Sequence, residues 1–493
     1  MMDKKNNSEI TDTEIKAEVY VPTALEMEPK SRQQKSDTPY LYLVVITANI
    51  LMFVKGTCAA WTSPVIPQLK SNDSEVNPLE EAITTVQISI LFGVPELCVI
   101  LGTLLFGKLP DIVGRKYTLV GISCLILLSN LTMVIFGSHV YVYIVGRCFQ
   151  KLGLGLLTSA LPIYLNEICE DHNRAKHGGL MMFFLPLGSL YAYLVGSVTS
   201  VRWFTLLCAI PLIPQILLLL VLVPESPIYS AAKGDEATTI KTLKELRSNK
   251  TEEEIVQDYL KIDATVRTRD ESFRVGFQDL FETKSLRRGI LVGLVVCLST
   301  PVSGATDVMG YLAPIFNDAN TNLSGNSVAI LVGVVKLFSF FASFAAVERL
   351  GRRPLLLFSC SATAVTLAIT AVYFYLNSTN AESIQNIRWL PILCVLAYIA
   401  CFSLGVGPIP ISFLAVLFPD DARSTASSFV STVVGIVSTI ISTCFPLLVD
   451  HLGVHICLGM FSVGCVLIFV SMYFLLPETT GKSFSEIQDL LEK

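Results

Sequence analysis

The sequence predicts an all-α membrane protein with twelve transmembrane helices, arranged as two pseudo-symmetric six-helix bundles. Of its 493 residues, 52% are hydrophobic and only 16% are charged, whereas an ordinary globular chain carries about 25% charged residues. Apolar stretches long enough to cross about 30 Å of hydrocarbon as a helix recur along the whole chain. In addition, the two halves of the chain carry related motifs at equivalent places. Composition, span length and internal duplication therefore agree on the fold class.

The apolar stretches divide into twelve predicted spans. Each is expected to be helical, because lipid offers no hydrogen-bond partner to an open backbone. The predicted spans are residues 41–62, 83–106, 117–137, 141–165, 178–197, 203–223, 289–316, 327–347, 355–376, 389–417, 424–449 and 454–476.

The duplicated motifs are basic turns between apolar runs. The first half carries GKLPDIVGRK at 107–116, and the second carries ERLGRR at 348–353. Each half then closes on a related tripeptide, PES at 224–226 and PET at 477–479. A duplicated apolar chain with such turns is typical of secondary transporters.

The one long polar stretch between spans divides the chain into two halves. Residues 237–246 and 252–260 within it combine helical apolar spacing with dense charge, which predicts short amphipathic helices under the membrane domain. The predicted segments are a cytoplasmic tail (1–40), a first six-helix bundle (41–223), a cytoplasmic linker (224–288), a second six-helix bundle (289–476) and a cytoplasmic tail (477–493).

The distribution of charge predicts the orientation. Most of the 36 Lys and Arg residues fall on the same side as the termini, so both termini are expected in the cytoplasm. The first 38 residues are polar, so no signal peptide is expected there. Sequons at Asn72, Asn322 and Asn377 fall in predicted outer loops and are candidate glycosylation sites. We therefore expect a multi-pass protein of the plasma membrane.

The sequence contains no pattern of an enzyme. It lacks the phosphate-binding loop that an ATP-driven pump would need. Its 13 cysteines show neither a disulfide framework nor zinc spacing. We expect no cofactor, no metal and no nucleic-acid partner. The expected partners are the lipid bilayer and a small-molecule solute, and the oligomeric state is left open.

Several motifs, in order and spacing, resemble the sugar porter family of the major facilitator superfamily, especially its insect facilitated trehalose transporter-like group. The resemblance runs from about residue 41 to residue 493. It implies two six-helix bundles around one substrate site that opens alternately to each side. The motifs are WTSP at 61–64, GKLPDIVGRK at 107–116, GR at 146–147 with Gly153 and Gly155, PIYLNEI at 162–168, PESP at 224–227, GRRP at 351–354, GPIP at 407–410 and PETTGKSFSEI at 477–487.

The resemblance implies a network of charges that holds the cytoplasmic side shut. Asp111 is expected to accept from backbone amides at a neighbouring helix start, and Arg115 to reach carboxylates on adjacent helices. The alternative is that these charges only set the topology. Ile112 and Val416 replace charged residues of the family pattern. The candidate cytoplasmic gate residues are Asp111, Arg115, Glu167, Arg174, Glu225, Glu348, Arg352, Arg353, Arg423 and Glu478.

The substrate positions implied by the resemblance depart from the family pattern. Hexose carriers of the family present Gln, Asn and Trp side chains there, because buried sugar hydroxyls need partners and sugar rings pack on aromatic faces. Almost none of those amides is present in this chain. The candidate substrate-binding residues are Met182, Thr300, Thr306, Asp307, Ile411 and Val434.

Charged residues inside the predicted spans are candidate pathway residues. A charge at a helix centre costs about 2.5–3.5 kcal/mol on insertion scales, so each is expected to face a cavity or a partner. Alternatively, Lys55 and Lys336 snorkel to the interface, and Lys55 forms a structural ion pair with Glu96. The candidates, besides Asp307, are Lys55, Glu96, Arg147, Lys151 and Lys336.

Three functions follow from these observations. The first is a membrane transporter that moves a sugar, such as trehalose or a hexose, by alternating access and facilitated diffusion. The second is a carrier of a non-sugar, anionic small solute. The third is a non-transporting sensor on the same fold. Proton coupling is not expected at the position that the family uses for it, because Thr57 stands where proton-coupled members have a carboxylate.

Overall fold

The structure, a computed structural model, describes residues 37–271, 279–281, 283–317, 321–379, 387–418 and 420–478. The described residues form helices joined by short turns, with no strand among them. The first half contains α1 (Pro39–Ala60), α2 (Thr62–Leu69), α3 (Thr85–Phe106), α4 (Leu109–Val113), α5 (Arg115–Phe136), α6 (Val140–Ile168), α7 (Arg174–Gly196), α8 (Val201–Ala209) and α9 (Leu212–Val221).

A linker and a second set of helices follow. The linker contains α10 (Pro227–Ala232), α11 (Glu236–Leu246), α12 (Glu252–Glu271) and a 3₁₀ turn (Asp279–Phe281). The second half contains α13 (Lys284–Val302), α14 (Ala305–Gly310), α15 (Leu312–Asn317), α16 (Gly325–Leu350), α17 (Arg352–Ser378), α18 (Leu390–Leu404), α19 (Ile409–Leu417), α20 (Asp420–Leu452) and α21 (Val454–Leu475).

The predicted twelve-helix membrane fold is confirmed. Within the described ranges, eleven helical segments are long and apolar enough to cross a membrane, and Leu390–Leu404 is a shorter apolar helix. Some of the eleven combine two consecutive helices, as in Pro39–Leu69, which joins α1 and α2. The remaining predicted span, 389–417, is divided between α18 and α19.

The division of that span follows from the sequence between α18 and α19. Pro408 has no amide hydrogen, and glycines precede it at 405 and 407. Backbone groups freed by the break find side-chain partners: the Val406 amide donates to Ser359 Oγ (3.0 Å), and the Val406 carbonyl accepts from Thr300 Oγ1 (3.0 Å). Such replacement bonds are what allow a broken helix at membrane depth.

Helices pack mainly within each half. In the first half α1 packs on α7, α3 on α6 and α5 on α6. In the second half α17 packs on α18 and α21, and α13 packs on α20. The halves meet where α3 packs on α20, α7 on α16 and α2 on α15. These three pairs form the seam between the halves.

Small residues allow α1 and α7 to touch through their backbones. A Cβ added to Gly56 would lie 2.0 Å from the Leu185 carbonyl oxygen, and one added to Gly188 would lie 1.9 Å from the Phe53 carbonyl oxygen. Any larger side chain at either position would force the helices apart. This close approach is typical of helix pairs in membranes, which rely on van der Waals contact.

The linker helices lie against the first half, at the end of the helices that we call the linker end. Glu170, just after α6, accepts ion pairs from Arg247 (3.3 Å) and Lys250 (3.1 Å). Asp258 on α12 also pairs with Lys250 (2.7 Å). The helix predicted at 252–260 is longer than expected and continues to Glu271. Apolar spacing fades after Leu260, and Asp263–Arg267 at 2.8 Å shows the i,i+4 pairing that supports the extra turns.

Candidate functional site

A partly buried ion pair joins two helices in the middle of the first half. Glu96 on α3 pairs with Lys151 on α6, and their side chains are 19% and 14% exposed. Both lie well inside spanning helices, and the pair nevertheless stays partly exposed. The alternative pair between Lys55 and Glu96 is wrong, because Lys151 takes that carboxylate and no carboxylate of the described residues lies within 4 Å of the Lys55 amine.

Arg147 on α6 is buried, and among the described residues it forms no ion pair with a carboxylate. It donates from Nη1 to the Cys58 carbonyl (2.7 Å) and to Gln150 Oε1 (3.3 Å). Its guanidinium carbon lies 5.3 Å from the centre of the Trp61 ring. A backbone carbonyl and an aromatic face therefore hold this cation. Thr57, where a carboxylate would stand in a proton-coupled relative, donates to the Val54 carbonyl of its own helix (2.8 Å).

Asp307 is buried in the second half at a break between two helices. Gly304 adopts a left-handed conformation (φ +69°) at the break, and a Cβ there would lie 2.3 Å from the Phe461 ring. α14 begins at the next residue, and Asp307 accepts from Ser442 Oγ on α20 at 2.6 Å. Its neighbour Thr306 is exposed. The two candidates therefore lie in opposite environments although they are adjacent in sequence.

The other candidate substrate positions lie on separate helices. The Thr300 hydroxyl donates a hydrogen bond to the Val406 carbonyl. Met182 on α7 and Val434 on α20 are half-buried and carry no strong hydrogen-bond donor. The side chain of Ile411 lies outside the described residues. The structure thus places Thr300 at the break between α18 and α19. Among the candidate substrate-binding residues whose side chains are described, Thr306 is the exposed one.

Lys336 on α16 is buried, with 6% of its surface exposed. Gly333, one turn earlier, packs against Leu190 and Tyr193 of α7. Phe340, one turn later, lies near Gly407 at the break between α18 and α19. Lys336 therefore lies on the inward face of α16, between the seam and the broken helix.

Arg115 organises the predicted gate residues of the first half. Its guanidinium forms a two-pronged pair with Glu167 (Nε to Oε2 2.9 Å, Nη2 to Oε1 3.0 Å) and also reaches Asp111 (2.8 Å). Ser226 of the PESP motif donates to Glu167 as well. Two-pronged arginine–carboxylate pairs are strong and directional. These contacts tie α4, α5, α6 and the start of the linker together at the linker end.

Glu225, rather than Asp111, caps the start of α5. Its Oε1 accepts from the backbone amides of Arg115 (2.9 Å), Lys116 (3.1 Å) and Ser226 (2.8 Å). Asp111 instead pairs with Arg115 and is half exposed. The expectation for Asp111 is therefore corrected, because Glu225 is the carboxylate that reaches these amides. Burial raises the pKa of Glu225, and the three amide donors oppose that shift.

Two of the predicted gate residues of the second half, Arg353 and Arg423, bind helix ends. Arg353 donates to the Tyr473 carbonyl (3.0 Å), and Arg423 donates to the Phe418 carbonyl (3.2 Å), both near helix C-termini. Cations are favourable there because the last carbonyls of a helix lack partners. Arg352 and Glu478 are half-buried, and the side chain of Glu348 lies outside the described residues.

Arg174 pairs with its neighbour Asp171 (3.1 Å) at the surface, apart from the Arg115 contacts. Sequence reasoning missed a further polar cluster beside it. Asp37 accepts from Asn173 (2.8 Å), Lys176 (2.8 Å) and Tyr42 (3.2 Å). Asp37, Asn173 and Lys176 lie outside the predicted spans, and Tyr42 lies at the start of the first one. Their spacing gave no signal that they would meet.

The far end of the molecule, opposite the linker end, is closed by bonds between the halves. An apolar cluster with residues from both halves lies there, and it contains Trp61, Tyr193, Tyr311 and Phe445. The bonds across the seam are Ala313 N to Ser63 Oγ (3.2 Å), Tyr193 Oη to the Met309 carbonyl (3.1 Å) and Lys70 Nζ to Tyr311 Oη (3.3 Å). The ion pairs of Arg115, by contrast, join residues of the first half.

The three sequons lie at the far end. Asn72, between α2 and α3, and Asn322, just before α16, are exposed. Asn377 is half-buried in the last turn of α17. Exposure therefore favours the first two as acceptors.

Comparisons with known proteins agree with this architecture. A family model described as sugar (and other) transporter matches residues 38–491. The chain is 30% identical over 465 residues to the facilitated trehalose transporter Tret1 of Bombyx mori. That match covers 93% of this chain and 88% of the relative. It is 28% identical over 450 residues to Tret1 of Aedes aegypti, and that match covers 90% of this chain but only 54% of the longer relative.

A solved structure shows the same fold. The inward-open xylose transporter XylE from E. coli matches with a TM-score of 0.75, at 20% identity, over 92% of this chain and all of that chain. At that identity the likeness concerns the fold alone. The family match, in contrast, covers nearly the whole sequence. The chain therefore belongs to the sugar (and other) transporter family, as a multi-pass membrane transporter and not an enzyme.

Proposed function

We propose that this protein carries a sugar across the plasma membrane by facilitated diffusion, with trehalose and hexoses as the first candidates. The observation that carries the proposal is the contrast between the far end and the interior. Bonds between the halves close the far end, while a partly exposed ion pair lies in the interior. A carrier that exposes one internal site to alternate sides needs this kind of closure.

The orientation belongs to the same proposal. The linker end and both termini face the cytoplasm, and the far end faces outward, in keeping with the positive charge of the predicted inner loops. The bundles of 41–223 and 289–476 then rock about the seam. The Arg115–Glu167–Glu225 contacts keep the linker end of the first half rigid during that movement, and the arginines of the second half do the same for its helix ends.

Uptake into oocytes tests the proposed function. Cells that express the chain should take up radiolabelled trehalose or glucose saturably, and uptake should be the same at acidic and neutral pH. An absence of flux from cells with confirmed surface expression would contradict a sugar carrier and favour a sensor.

Glycosylation tests the orientation independently. Asn72→Gln and Asn322→Gln should each remove one glycosidase-sensitive step in gel mobility. Asn377→Gln is the matched comparison, because Asn377 is half-buried at a helix end. If glycosidase leaves the wild type unchanged in a secretory-competent cell, the proposed outward position of these loops loses its support.

A further inference from the structure

The ion pair of Glu96 and Lys151 keeps hydrogen-bonding capacity that the protein does not use. A carboxylate offers about four acceptor positions and an ammonium group about three donors. Within the described part of the chain, the bond between the two side chains is the one hydrogen bond that either of them makes. The second carboxylate oxygen of Glu96 thus has no partner there, and it is not buried. Unused capacity of this pair therefore lies at accessible surface.

Glu96 lies on the inward side of α3. The outward side of this helix exposes apolar residues such as Leu97, and Glu96 lies about a third of a turn from the middle of that side. On one flank of Glu96, the Val99 carbonyl packs on a glycine of α6. On the other flank, Gly93 packs on Thr443 of α20. Glu96 therefore points between α6 and α20, towards the interior.

Lys151 lies on the inward side of α6 in the same way. The outward side of α6 exposes Phe149 and other apolar residues. Lys151 lies between Gly155, which packs on α3, and Arg147, which donates to a carbonyl of α1. Thr158, two turns nearer to the linker end on the same side of α6, is exposed. Accessible surface on the inward side of α6 therefore extends from the pair towards the linker end.

The second half places polar residues opposite the pair. Phe92, one turn before Glu96, packs on Tyr311 with a distance of 6.0 Å between the ring centres. Asp307 precedes Tyr311 by one turn, so Glu96 and Asp307 both lie one turn nearer to the linker end than this contact. Asp307 is within electrostatic range of both members of the pair, and its neighbour Thr306 is exposed. The pair in the first half and Thr306 in the second thus lie at one level.

The chemistry of the pair suits a neutral solute with several hydroxyl groups. The two charges compensate each other, so the pair holds no net charge for an ion to neutralise. A hydroxyl group, in contrast, can donate to the free carboxylate oxygen and accept from the amine. Hydrogen bonds to charged groups are stronger than those between neutral groups, so one such pair can take the place of several amides.

We propose that Glu96 and Lys151 bind the transported sugar and recognise two neighbouring ring hydroxyls, one that donates to Glu96 and one that accepts from Lys151. The inference rests on the proposed sugar transport and names the residues that determine its specificity. The preferred solute is therefore a neutral sugar. Sugars that lack either hydroxyl, or that carry a net charge, bind more weakly.

Inhibition of uptake by single-deoxy analogues of glucose tests the recognition of hydroxyls. Oocytes that express the chain take up radiolabelled glucose or trehalose, and glucose and each monodeoxyglucose compete with the label. Removal of either of two adjacent hydroxyls should raise the inhibition constant about tenfold relative to glucose, as expected for the loss of a charged hydrogen bond. Glucuronate should inhibit more weakly than glucose.

Variants of the pair distinguish recognition from a structural role. Glu96→Gln should raise the inhibition constant of glucose about tenfold, and that of the deoxyglucose without the donating hydroxyl less than about twofold. The penalty for the missing hydroxyl then disappears. Lys151→Met should abolish the penalty for the adjacent hydroxyl in the same way. A structural role would instead weaken all sugars by a similar factor and leave both penalties unchanged.

A double variant guards against misfolding. Each single variant leaves one charge without its partner inside the spans, which is costly. Glu96→Gln combined with Lys151→Met removes both charges, so this variant should reach the surface and lack both penalties. Glu252→Gln is the matched control, because it removes an exposed ion pair with Lys244 in the linker and should change no inhibition constant. Surface expression is measured for every variant.

The outcomes separate this inference from the proposed function. If glucose or trehalose is carried and the penalties are the same in the wild type and in the double variant, the inference is wrong and the sugar carrier stands. If glucuronate inhibits as well as glucose, the preference for a neutral sugar is wrong. If no sugar is carried by cells with confirmed surface expression, the proposed function itself fails, and the inference fails with it.

Discussion

Arg147 shows how a buried cation in this protein is held without an ion pair to a carboxylate of the described residues. Its guanidinium donates to the Cys58 carbonyl and lies over Trp61, while the family's proton-coupled position is occupied by Thr57. The planar guanidinium suits both contacts at once, as a lysine would not. Thr57, at the position where the resemblance places a carboxylate in proton-coupled relatives, has no ionisable group. This arrangement is consistent with uptake that does not depend on a proton gradient.

The bond from Ser442 to Asp307 is expected to stabilise the second half. Ser442→Ala leaves a buried carboxylate without this donor, which costs about 1–3 kcal/mol and should lower the thermal unfolding midpoint of the purified protein. Ser471→Ala is the matched control, because its exposed hydroxyl donates only to the Leu467 carbonyl of its own helix. Equal midpoints for the two variants would contradict the role given to Ser442.

The contacts of Asp37 are expected to weaken in acid. Partial burial alone would raise the pKa of Asp37, but hydrogen bonds from Lys176 and Asn173 outweigh it and lower the pKa from 3.8 to about 2. A carboxyl whose pKa is lower in the folded state contributes stability above its unfolded pKa and loses it as the pH falls towards the folded one. The contribution should therefore be complete above about pH 4 and vanish near about pH 2.

Thermal unfolding of the wild type and of Asp37→Asn checks this window. His172 and His177 also face Asp37, and both are present in the two proteins that are compared. The difference in midpoint between the two proteins should shrink between about pH 4 and about pH 2. A difference that stays constant through that range would show that the Asp37 carboxylate contributes nothing there.

At the scale of elements, the linker helices depend on a few charged residues for their position. Glu170 holds both Arg247 and Lys250, and all three side chains are largely buried. Glu170→Gln should therefore release α11 and α12 from the first half and speed tryptic cleavage after Arg247 and Lys250 several-fold. Glu252→Gln removes an exposed pair with Lys244 and should leave the cleavage rate unchanged. Cleavage as slow in Glu170→Gln as in the wild type would contradict this account of the linker.

Elements differ in how far the sequence could predict them. Span lengths followed from apolar runs, because a helix that crosses lipid must be long and apolar whatever it packs against. The break at 405–408 was not predicted, because its glycines and Val406 still count as apolar in such a run. α12 was predicted too short, because its last turns depend on charged pairs and not on apolar spacing.

The candidate site was predictable only in part for a related reason. Charged residues inside spans are rare enough to be noticed singly, so Lys55, Glu96, Lys151 and Asp307 were found. Which of them pair depends on helix rotation and depth, which a sequence does not contain. Thus Glu96 pairs with Lys151 and not with Lys55. Likewise Glu225, and not Asp111, accepts hydrogen bonds from the amides at the start of α5.

At the scale of the molecule, the bonds at the far end of the seam should favour the state in which that end is closed. Tyr193→Phe removes the bond to the Met309 carbonyl, worth about 0.5–1.5 kcal/mol, and should shift the population of the open state about two- to tenfold. The ratio of half-saturation constants measured from the two sides should change accordingly. Tyr191→Phe is the matched control, because its hydroxyl donates to Leu207 within the first half. A similar change in both variants would contradict a specific role at the seam.

The central claim is that two halves expose one sugar site alternately without an energy source. Counterflow in proteoliposomes tests it most directly. Vesicles loaded with unlabelled sugar and diluted into a trace of labelled sugar should accumulate label transiently above equilibrium, because the carrier exchanges sugar faster than it returns empty. The effect should persist when no ion gradient is present. Label that only rises to equilibrium, or does not enter at all, would contradict a facilitative alternating-access carrier.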